Sequence, residues 1–312
     1  MKDEYNRQIS YMRLSVTDKC NFNCSYCKGD SFSTLTDVMS FDEMYEICKA
    51  FVKCGIDKIR LTGGEPLLRE GIVDFCKRLS SIEGLNSLVM TTNGCLLKHY
   101  AKDLKRAGVS RLNISLDTLN KDKFNKLTGI DAFDDVIEGI YEAQECGFKN
   151  IKINVVLMGG INDDEIADFI ELTKNNDFTI RFIELMPLGA CSQWDKARFI
   201  SSDLVLKTNE NLERITFDGV SEIYRVNGYK GRIGLIRPMT NKFCDVCNRI
   251  RVTADGKIKP CLHSNDEYNI RGLSGLELQN AIKNAIASKP KSHNMNSFCL
   301  SNSTRYMNQI GG

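Results

Sequence analysis

The regular alternation of short strand patterns with helix patterns is the feature that most restricts the fold of this chain. Six β-rich runs alternate with segments of helical periodicity before residue 185. The predicted strands are 12–16, 58–61, 87–90, 111–115, 151–157 and 179–184. The predicted helices between them are 41–54, 69–79, 97–106, 133–146 and 163–174. This alternation predicts an α/β fold with a parallel sheet, either a partial (β/α) barrel or a doubly wound sheet.

The rhythm changes after about Trp194. Short strand patterns then follow one another, several of them joined by glycine-containing turns, at 212–217, 222–226, 232–236, 250–253 and 257–260. A helix pattern at 275–287 completes the series. We therefore predict two domains, residues 1–195 and residues 196–312, of which the second is an α+β extension.

The composition is that of a globular protein with a normal core, since 42% of the 312 residues are hydrophobic and 26% are charged. The net charge is only +2, so the overall charge does not favour a nucleic-acid partner. No apolar run approaches the roughly 18 residues that span a bilayer. The polar N-terminus lacks the pattern of a signal peptide. We expect a cytoplasmic protein with no membrane partner.

Thirteen cysteines are many for such a protein, and an odd number in a reducing compartment makes a poor disulfide framework. Two groups of three have metal-site spacing, whereas the others are scattered. We expect most of the scattered thiols to pack as small hydrophobic side chains. They are Cys48, Cys54, Cys76, Cys95, Cys146, Cys191 and Cys299.

The first group, Cys20-x3-Cys24-x2-Cys27, directly follows the first predicted strand. Parallel α/β folds place their chemistry in loops at this end of the strands. A [4Fe–4S] cluster is usually held by four cysteines, so three would leave one iron open for a ligand. A zinc site or three unrelated loop cysteines are the alternatives, although the three-residue gap is unusual for zinc.

The second group is Cys244-x2-Cys247-x13-Cys261. Together with His263 it also matches a Cys3His zinc site, so the spacing leaves both metals open. Arg249 and Arg251 follow on a predicted strand, where residues two apart share a face and can bind one polyanion.

Further motifs stand in register with the predicted strands. Tyr26 precedes the last cysteine of the first group, and the later motifs are Thr62-Gly63-Gly64-Glu65-Pro66, Thr91-Thr92-Asn93-Gly94 and Ser115-Leu116-Asp117. In this combination the chain resembles the radical S-adenosylmethionine (SAM) superfamily. The resemblance implies a partial (β/α)6 barrel similar to a TIM barrel, with a [4Fe–4S] cluster on Cys20, Cys24 and Cys27. It also implies SAM contacts from Tyr26, Gly64, Ser115 and Met186.

Residues 244–251 and the terminal Gly311-Gly312 resemble the GTP 3′,8-cyclases of molybdenum cofactor biosynthesis. That resemblance implies a second [4Fe–4S] cluster on Cys244, Cys247 and Cys261, and a C-terminal tail that enters the active site. The GTP-binding residues it implies are Arg13, Arg60, Thr91, Lys152, Arg249 and Arg251. Arg249 and Arg251 are also the candidates for stabilising charge during catalysis.

The implied reaction begins when a 5′-deoxyadenosyl radical removes hydrogen from C3′ of GTP. The C3′ radical then attacks guanine C8, and the product is 3′,8-cyclo-7,8-dihydro-GTP. The implied partners are an electron donor such as flavodoxin or ferredoxin, the downstream cyclic pyranopterin monophosphate synthase, and a second copy of the chain in a homodimer. Two alternatives remain: a peptide- or sulfatase-maturing radical enzyme with an auxiliary cluster, and a zinc-stabilised binding protein.

Overall fold

The computed structural model describes residues 1–28, 34–35, 37–293, 295 and 301–311; Cys299 and Gly312 lie outside these ranges. The strands are β1 Tyr11–Ser15, β2 Lys58–Thr62, β3 Ser87–Thr92, β4 Arg111–Ser115, β5 Lys152–Leu157, β6 Thr179–Glu184, β7 Leu212–Asp218, β8 Ser221–Val226, β9 Arg232–Ile236, β10 Arg249–Val252, β11 Lys257–Lys259 and β12 Tyr268–Asn269. The α-helices are α1 Phe41–Lys53, α2 Ile72–Ser80, α3 Leu97–Arg106, α4 Lys121–Thr128, α5 Phe133–Glu145, α6 Ile166–Asn175, α7 Asp203–Thr208, α8 Gly275–Ala287 and α9 Met307–Ile310.

Strands β1 to β6 lie side by side in chain order, all parallel, with helices in the connections. A doubly wound sheet would reverse its strand order at a switch point. No reversal occurs among these six strands, so the first half of the chain is a partial (β/α)6 barrel. This resolves the choice that the alternation of elements leaves open.

The C-terminal region adds strands to both edges of this barrel. Strand β10 pairs in parallel with β1, and β9 pairs in parallel with β6. Antiparallel strands continue the sheet on each side, giving the order β12-β11-β10-β1-β2-β3-β4-β5-β6-β9-β8-β7. The predicted division after residue 195 therefore separates two parts that share one sheet, and it stays a prediction.

Local sequence signals account for many of the element boundaries. Ser40 caps α1 in a capping box with Glu43, as the sequence predicts. Gly55 and Gly147 follow α1 and α5 with positive φ angles of 92° and 85°. Among the described residues, no helix has the length and apolar character required to cross a membrane.

The parallel strands alternate between apolar and polar residues. The side chains packed against the helices are apolar and fully buried, for example Met12, Leu14, Ile59 and Leu61. A parallel strand buried on both faces is usually apolar throughout. The opposite face of these strands instead carries polar and cationic side chains, so the interior of the barrel, which we call the lumen, is polar. The lumen residues considered below are Tyr11, Arg13, Lys58, Arg60, Thr91, Arg111, Asn113, Lys152, Asn154, Arg181, Arg249 and Arg251.

Candidate active site between two cysteine groups

The first cysteine group lies beyond the C-terminal end of β1. Cys20, Cys24 and Cys27 are all partly buried, and the backbone amide of Cys27 donates to the carbonyl of Cys24 at 3.0 Å. Burial raises the pKa of Cys24 well above its usual value, and the neighbouring Cys27 and Cys20 raise it further. The three sulfur atoms therefore lie within electrostatic reach of one another.

The glycine motif after β2 packs against the segment that leads into the cysteine loop. The amide of Gly64 donates to Thr17 at 2.7 Å, and that of Glu65 donates to Lys19 at 2.8 Å. A Cβ atom on Gly64 would overlap the Lys19 carbonyl oxygen, so the loop can approach only a residue without a side chain. Gly64 thus holds the segment that leads directly into Cys20.

Glu65 connects this motif to the next one. Its fully buried carboxylate accepts from the Thr92 hydroxyl at 2.8 Å and from the Asn93 amide at 2.7 Å. Asn93 in turn donates to Asn21 at 2.8 Å, beside Cys20. Burial raises the pKa of Glu65 to about 7. The motifs after β2 and β3 are therefore parts of one hydrogen-bonded support for the first cysteine group.

A cavity opens beside these residues. Its lining includes Cys24, Tyr26, Asn93, Ser115 and Asp117. The Tyr26 hydroxyl donates to Asp117 at 2.6 Å, which fixes the ring beside Cys24. Two of the predicted SAM contacts, Tyr26 and Ser115, thus line a common space.

The other two predicted SAM contacts lie outside that cavity lining. Gly64 packs against the cysteine loop. Met186 follows β6 at the same end of the barrel and is partly buried. Its carbonyl accepts from the Leu188 amide at 2.8 Å.

The second cysteine group lies at the opposite end of the barrel. Cys247 precedes β10 by two residues, at the end of the sheet where β1 begins, because Tyr11 pairs with Arg249. Strand β11 runs antiparallel to β10, so Cys261, two residues past β11, returns to the same end. Cys244 begins the short 3₁₀ turn Cys244–Val246.

Two buried cations hold the second group together. The Lys289 ammonium donates to the carbonyls of Arg249 at 2.9 Å and Pro260 at 2.7 Å, which neighbour Cys247 and Cys261 in the chain. Arg7 donates to the Cys244 carbonyl at 2.9 Å and to the Pro290 carbonyl at 2.8 Å. These bonds join three chain segments that are far apart in sequence.

The charge around Cys247 favours a metal-binding thiolate. Burial works against ionisation, but the Arg249 guanidinium and the Lys289 ammonium lower the pKa of Cys247 to about 6. A thiolate at neutral pH is the form that soft metals and iron–sulfur clusters bind. The donor set of three thiols therefore fits a cluster.

No group of three or more histidine, cysteine or carboxylate side chains closes around a single ion in the described part of the chain. A cubane differs from a single ion because each thiolate binds a different iron atom. His263, the possible fourth zinc ligand, has its Nδ1 within 3.3 Å of the Ser301 hydroxyl and packs against the His293 ring at 4.8 Å. The His263 ring is thus already in contact with two other side chains of the protein.

The lumen between the two cysteine groups is rich in cations. Arg13 stands between Arg251 and Arg60 in the sheet register. Arg60 donates to the Thr91 hydroxyl at 3.0 Å and also to the Tyr11 hydroxyl. Although burial raises it, the pKa of Tyr11 falls to about 7 because Arg60, Arg13 and Lys58 surround the phenol. The cations around Tyr11 thus create a positive field in this part of the lumen.

Burial of the lysine and arginine side chains of the lumen costs free energy, and an anionic ligand bound beside them would offset that cost. Burial lowers the pKa of Lys152 to about 8 and that of Arg181 to about 10, despite their contact with Asp218. Burial and then Arg249 lower the pKa of Arg251 to about 10. Within the described residues, Asn113 Oδ1, Asn154 Oδ1 and Arg181 Nε also lack a hydrogen-bond partner. Buried polar atoms without a partner are available to bind a ligand or water.

The C-terminal tail reaches into this space. Arg251 donates to the carbonyls of Ile310, at 3.2 Å, and Gly311. The Asn308 side chain donates to Asp18 at 2.9 Å, close to the first cysteine group. Gly311 is buried with φ of 74°, and a Cβ there would overlap Thr62. The tail therefore contacts the loop after β1, the end of β2 and the lumen side of β10.

All six predicted GTP-binding residues lie on the lumen face of the sheet. Several of their neighbours on that face were not predicted, among them Tyr11, Lys58, Asn113 and Arg181. The sequence does contain a signal for these residues, because apolar and polar residues alternate within the parallel strands. Strands around an apolar interior would be apolar throughout.

Comparison with known protein families accounts for nearly the whole chain. Residues 14–173 match the model of the radical SAM superfamily. Residues 178–295 match the model described as Molybdenum Cofactor Synthesis C. The first match covers half of the chain and contains the first cysteine group; the second contains the other group.

Two curated relatives illustrate the similarity in sequence. A GTP 3′,8-cyclase of Peptoclostridium acidaminophilum is 49% identical over 94% of this chain and 93% of its own length. A GTP 3′,8-cyclase of Alkaliphilus oremlandii (strain OhILAs) is 46% identical over the full length of both chains. Identity at this level over whole chains shows family membership.

Solved structures support the fold. Streptococcus suis SuiB bound to its precursor peptide SuiA has a TM-score of 0.65 at 13% identity, over 90% of this chain and 67% of SuiB. Native anSMEcpe with bound AdoMet has a TM-score of 0.54 at 15% identity, over 88% of this chain and 81% of that one. The motifs, the two model matches and the full-length relatives agree, and the chain belongs to the radical SAM superfamily and, within it, to the family of the GTP 3′,8-cyclases.

Proposed function

We propose that this chain converts GTP into 3′,8-cyclo-7,8-dihydro-GTP, the first step of molybdenum cofactor biosynthesis. Identity of 49% over 94% of the chain and of 46% over its full length to proteins of this activity supports the assignment. The structural observation that carries it is a buried, cation-rich lumen with a group of three cysteines at each end. This arrangement can hold a polyanionic nucleotide between two metal clusters.

Cys20, Cys24 and Cys27 would hold the first cluster, and SAM would bind in the cavity beside them. When bound, the cluster and SAM would supply the radical that removes hydrogen from C3′ of the ribose. Tyr26 and Ser115 line that cavity, and Gly64 permits the close approach of the cysteine loop. Met186 completes the proposed SAM contacts at the same end of the barrel.

Cys244, Cys247 and Cys261 would hold the second cluster, beside the Arg249 guanidinium that lowers the pKa of Cys247. The guanine base would bind toward this end. Arg13, Arg60, Thr91, Lys152, Arg249 and Arg251 bind the nucleotide. Buried guanidinium groups bind phosphate oxygens strongly because they donate in a fixed geometry and are poorly hydrated.

Arg251 and the tail form the boundary of the site. Arg251 already donates to the carbonyls of Ile310 and Gly311, so its guanidinium links the tail to the nucleotide-binding face. Arg249 and Arg251 are the residues we assign to charge stabilisation as the guanine ring is reduced.

The partners implied by this function are an electron donor such as flavodoxin or ferredoxin, and the downstream cyclic pyranopterin monophosphate synthase. A homodimer, a cytoplasmic location and the division of the chain into residues 1–195 and 196–312 belong to the same proposal.

The test combines metal content with turnover. Anaerobically reconstituted wild type should hold about eight irons and convert GTP to the cyclised product, detected by mass spectrometry. A variant with Cys244, Cys247 and Cys261 changed to Ala should hold about four, retain SAM cleavage and lose GTP conversion. One zinc in place of four irons, or wild-type conversion by the variant, would exclude a second cluster as part of the site.

A further inference from the structure

A carboxylate enters the cation-rich lumen from the C-terminal region. Asp218 is the last residue of β7, at the tip of the β7–β8 hairpin. Its Oδ2 accepts from the Lys152 ammonium and, at 3.0 Å, from Arg181 Nη2. Both cations lie on the lumen face of the barrel. The carboxylate therefore occupies a position where two buried cations converge.

The two sides of this contact differ in burial. The Lys152 and Arg181 side chains are 8% and 10% exposed, whereas Asp218 is 42% exposed. The cations are fixed parts of strands β5 and β6. Strand β7 is exposed along most of its length and pairs with β8 alone among the described strands. Gly219, the next residue, has open space around it. Asp218 thus lies on the exposed hairpin tip, which can move more easily than the strands that carry Lys152 and Arg181.

Asp218 is a permanent anion at neutral pH. Although burial raises it, the pKa of Asp218 falls to about 2 because Lys152, Arg181 and Arg111 surround the carboxylate. A carboxylate and a phosphate cannot share these cations without repelling each other. A phosphate carries more charge and more acceptor oxygens, and Arg181 Nε has no hydrogen-bond partner among the described residues.

We propose that Asp218 occupies a phosphate position of the lumen in the substrate-free protein, and that a substrate phosphate displaces it together with the hairpin tip. This rests on the proposed function, because it assigns a phosphate of GTP to Lys152 and Arg181. The carboxylate then has two effects. It forms ion pairs with the buried cations before the substrate binds, and it lowers the affinity of every ligand that must displace it.

The test measures binding rather than turnover, with inorganic tripolyphosphate as the probe. Isothermal titration calorimetry compares wild type, Asp218→Asn and Asp218→Glu. Removal of the competing charge should tighten tripolyphosphate binding about fivefold in Asp218→Asn, the scale of a half-exposed ion pair. Asp218→Glu retains the charge and should bind like wild type.

Two controls isolate the local effect. Glu213→Gln makes the same change in net charge on the same strand, at an exposed residue, and should leave binding unchanged. Guanosine, which has no phosphate, should bind wild type and Asp218→Asn equally. Circular dichroism confirms that each variant is folded.

Amide hydrogen exchange supplies an independent readout. In wild type, tripolyphosphate should accelerate exchange at residues 218–220, because the tip loses its anchor. Unchanged or weaker binding by Asp218→Asn, or slower exchange at the tip, would overturn the proposal. If neither protein binds tripolyphosphate or GTP, the phosphate site itself is wrong. If wild type binds tripolyphosphate but not GTP, the proposed function fails while the displacement of Asp218 stands.

Discussion

At the scale of single residues, close packing of backbone against backbone determines the conformation of the loop that carries the first cysteine group. Changing Gly64 to Ala places a methyl group against the Lys19 carbonyl, which is backbone and cannot rotate away. We expect about 1–3 kcal/mol of destabilisation and a loss of iron from the first group, measured by denaturant unfolding and iron analysis. Gly147→Ala is the control: a Cβ there meets open space, so the only cost of this change is its positive φ, which Gly64 does not share. Equal iron retention in both variants would contradict this role of Gly64.

Lys289 places a positive charge beside Cys247 and Cys261. A nearby cation stabilises the more negative, reduced form of a cluster. Lys289→Met should therefore make the reduction potential of the second cluster more negative, while Lys289→Arg should restore it. The measurement is a redox titration followed by electron paramagnetic resonance, in a background with Cys20, Cys24 and Cys27 changed to Ala. Lys283→Met, at an exposed site on α8, is the matched control, and an equal potential in both variants would refute the effect.

At the scale of elements, Glu65 joins the segments that follow β2 and β3. Its folded-state pKa, about 7, lies above the usual 4.5 because the carboxyl is buried. The contribution of Glu65 to stability is thus complete below about pH 4.5 and is lost as pH rises through 7. Relative to Glu65→Gln, wild type should lose up to about 3 kcal/mol of unfolding free energy between pH 5 and 8. Urea unfolding across that range measures it, and parallel pH curves would disprove it.

The tail helix α9 is followed by Gly311, which combines a positive φ with close contact to Thr62. Gly311→Ala should displace the tail from Arg251 and reduce GTP conversion at least about tenfold with iron content unchanged. Gly272→Ala controls for backbone strain, because Gly272 has φ of 79° but no neighbour to meet. Similar losses in both variants would show that strain rather than the tail contact is responsible.

At the scale of the whole molecule, the C-terminal region covers both edges of the barrel sheet. Removing residues 196–312 would expose β1 and β6 as unpaired edges. Exposed edges of a parallel sheet promote aggregation, so we expect residues 1–195 alone to be insoluble or to associate. Light scattering after expression measures this, with deletion of residues 301–312 as the control that leaves both edges paired. A stable, monomeric 1–195 fragment would contradict this account and favour independent domains.

Local patterns in the sequence determined much of the fold. The limits of β4, β6, β9, α3 and α8 agree with the predicted ranges, because hydrophobic period, caps and turns are encoded in neighbouring residues. Helix α4 was missed, since its short, lysine-rich segment buries only Phe124, Leu127 and Thr128. The cysteine spacings are local as well, and for that reason the sequence alone indicates both metal groups.

Tertiary structure alone decided how these parts meet. The strand order distinguishes a barrel from a doubly wound sheet. The pairing of β9 and β10 with opposite edges of the barrel cannot be predicted from the hydrophobic period of either strand. Arg7 and Lys289 contact the second cysteine group from both ends of the chain, and Asp218 meets Lys152 across 66 positions. Such contacts depend on long-range pairing and burial, which a sequence read residue by residue does not encode. The sequence by itself therefore determined most of the elements, the motifs and the family, whereas the strand order and the long-range contacts that organise the charge of the lumen became visible only in the folded chain.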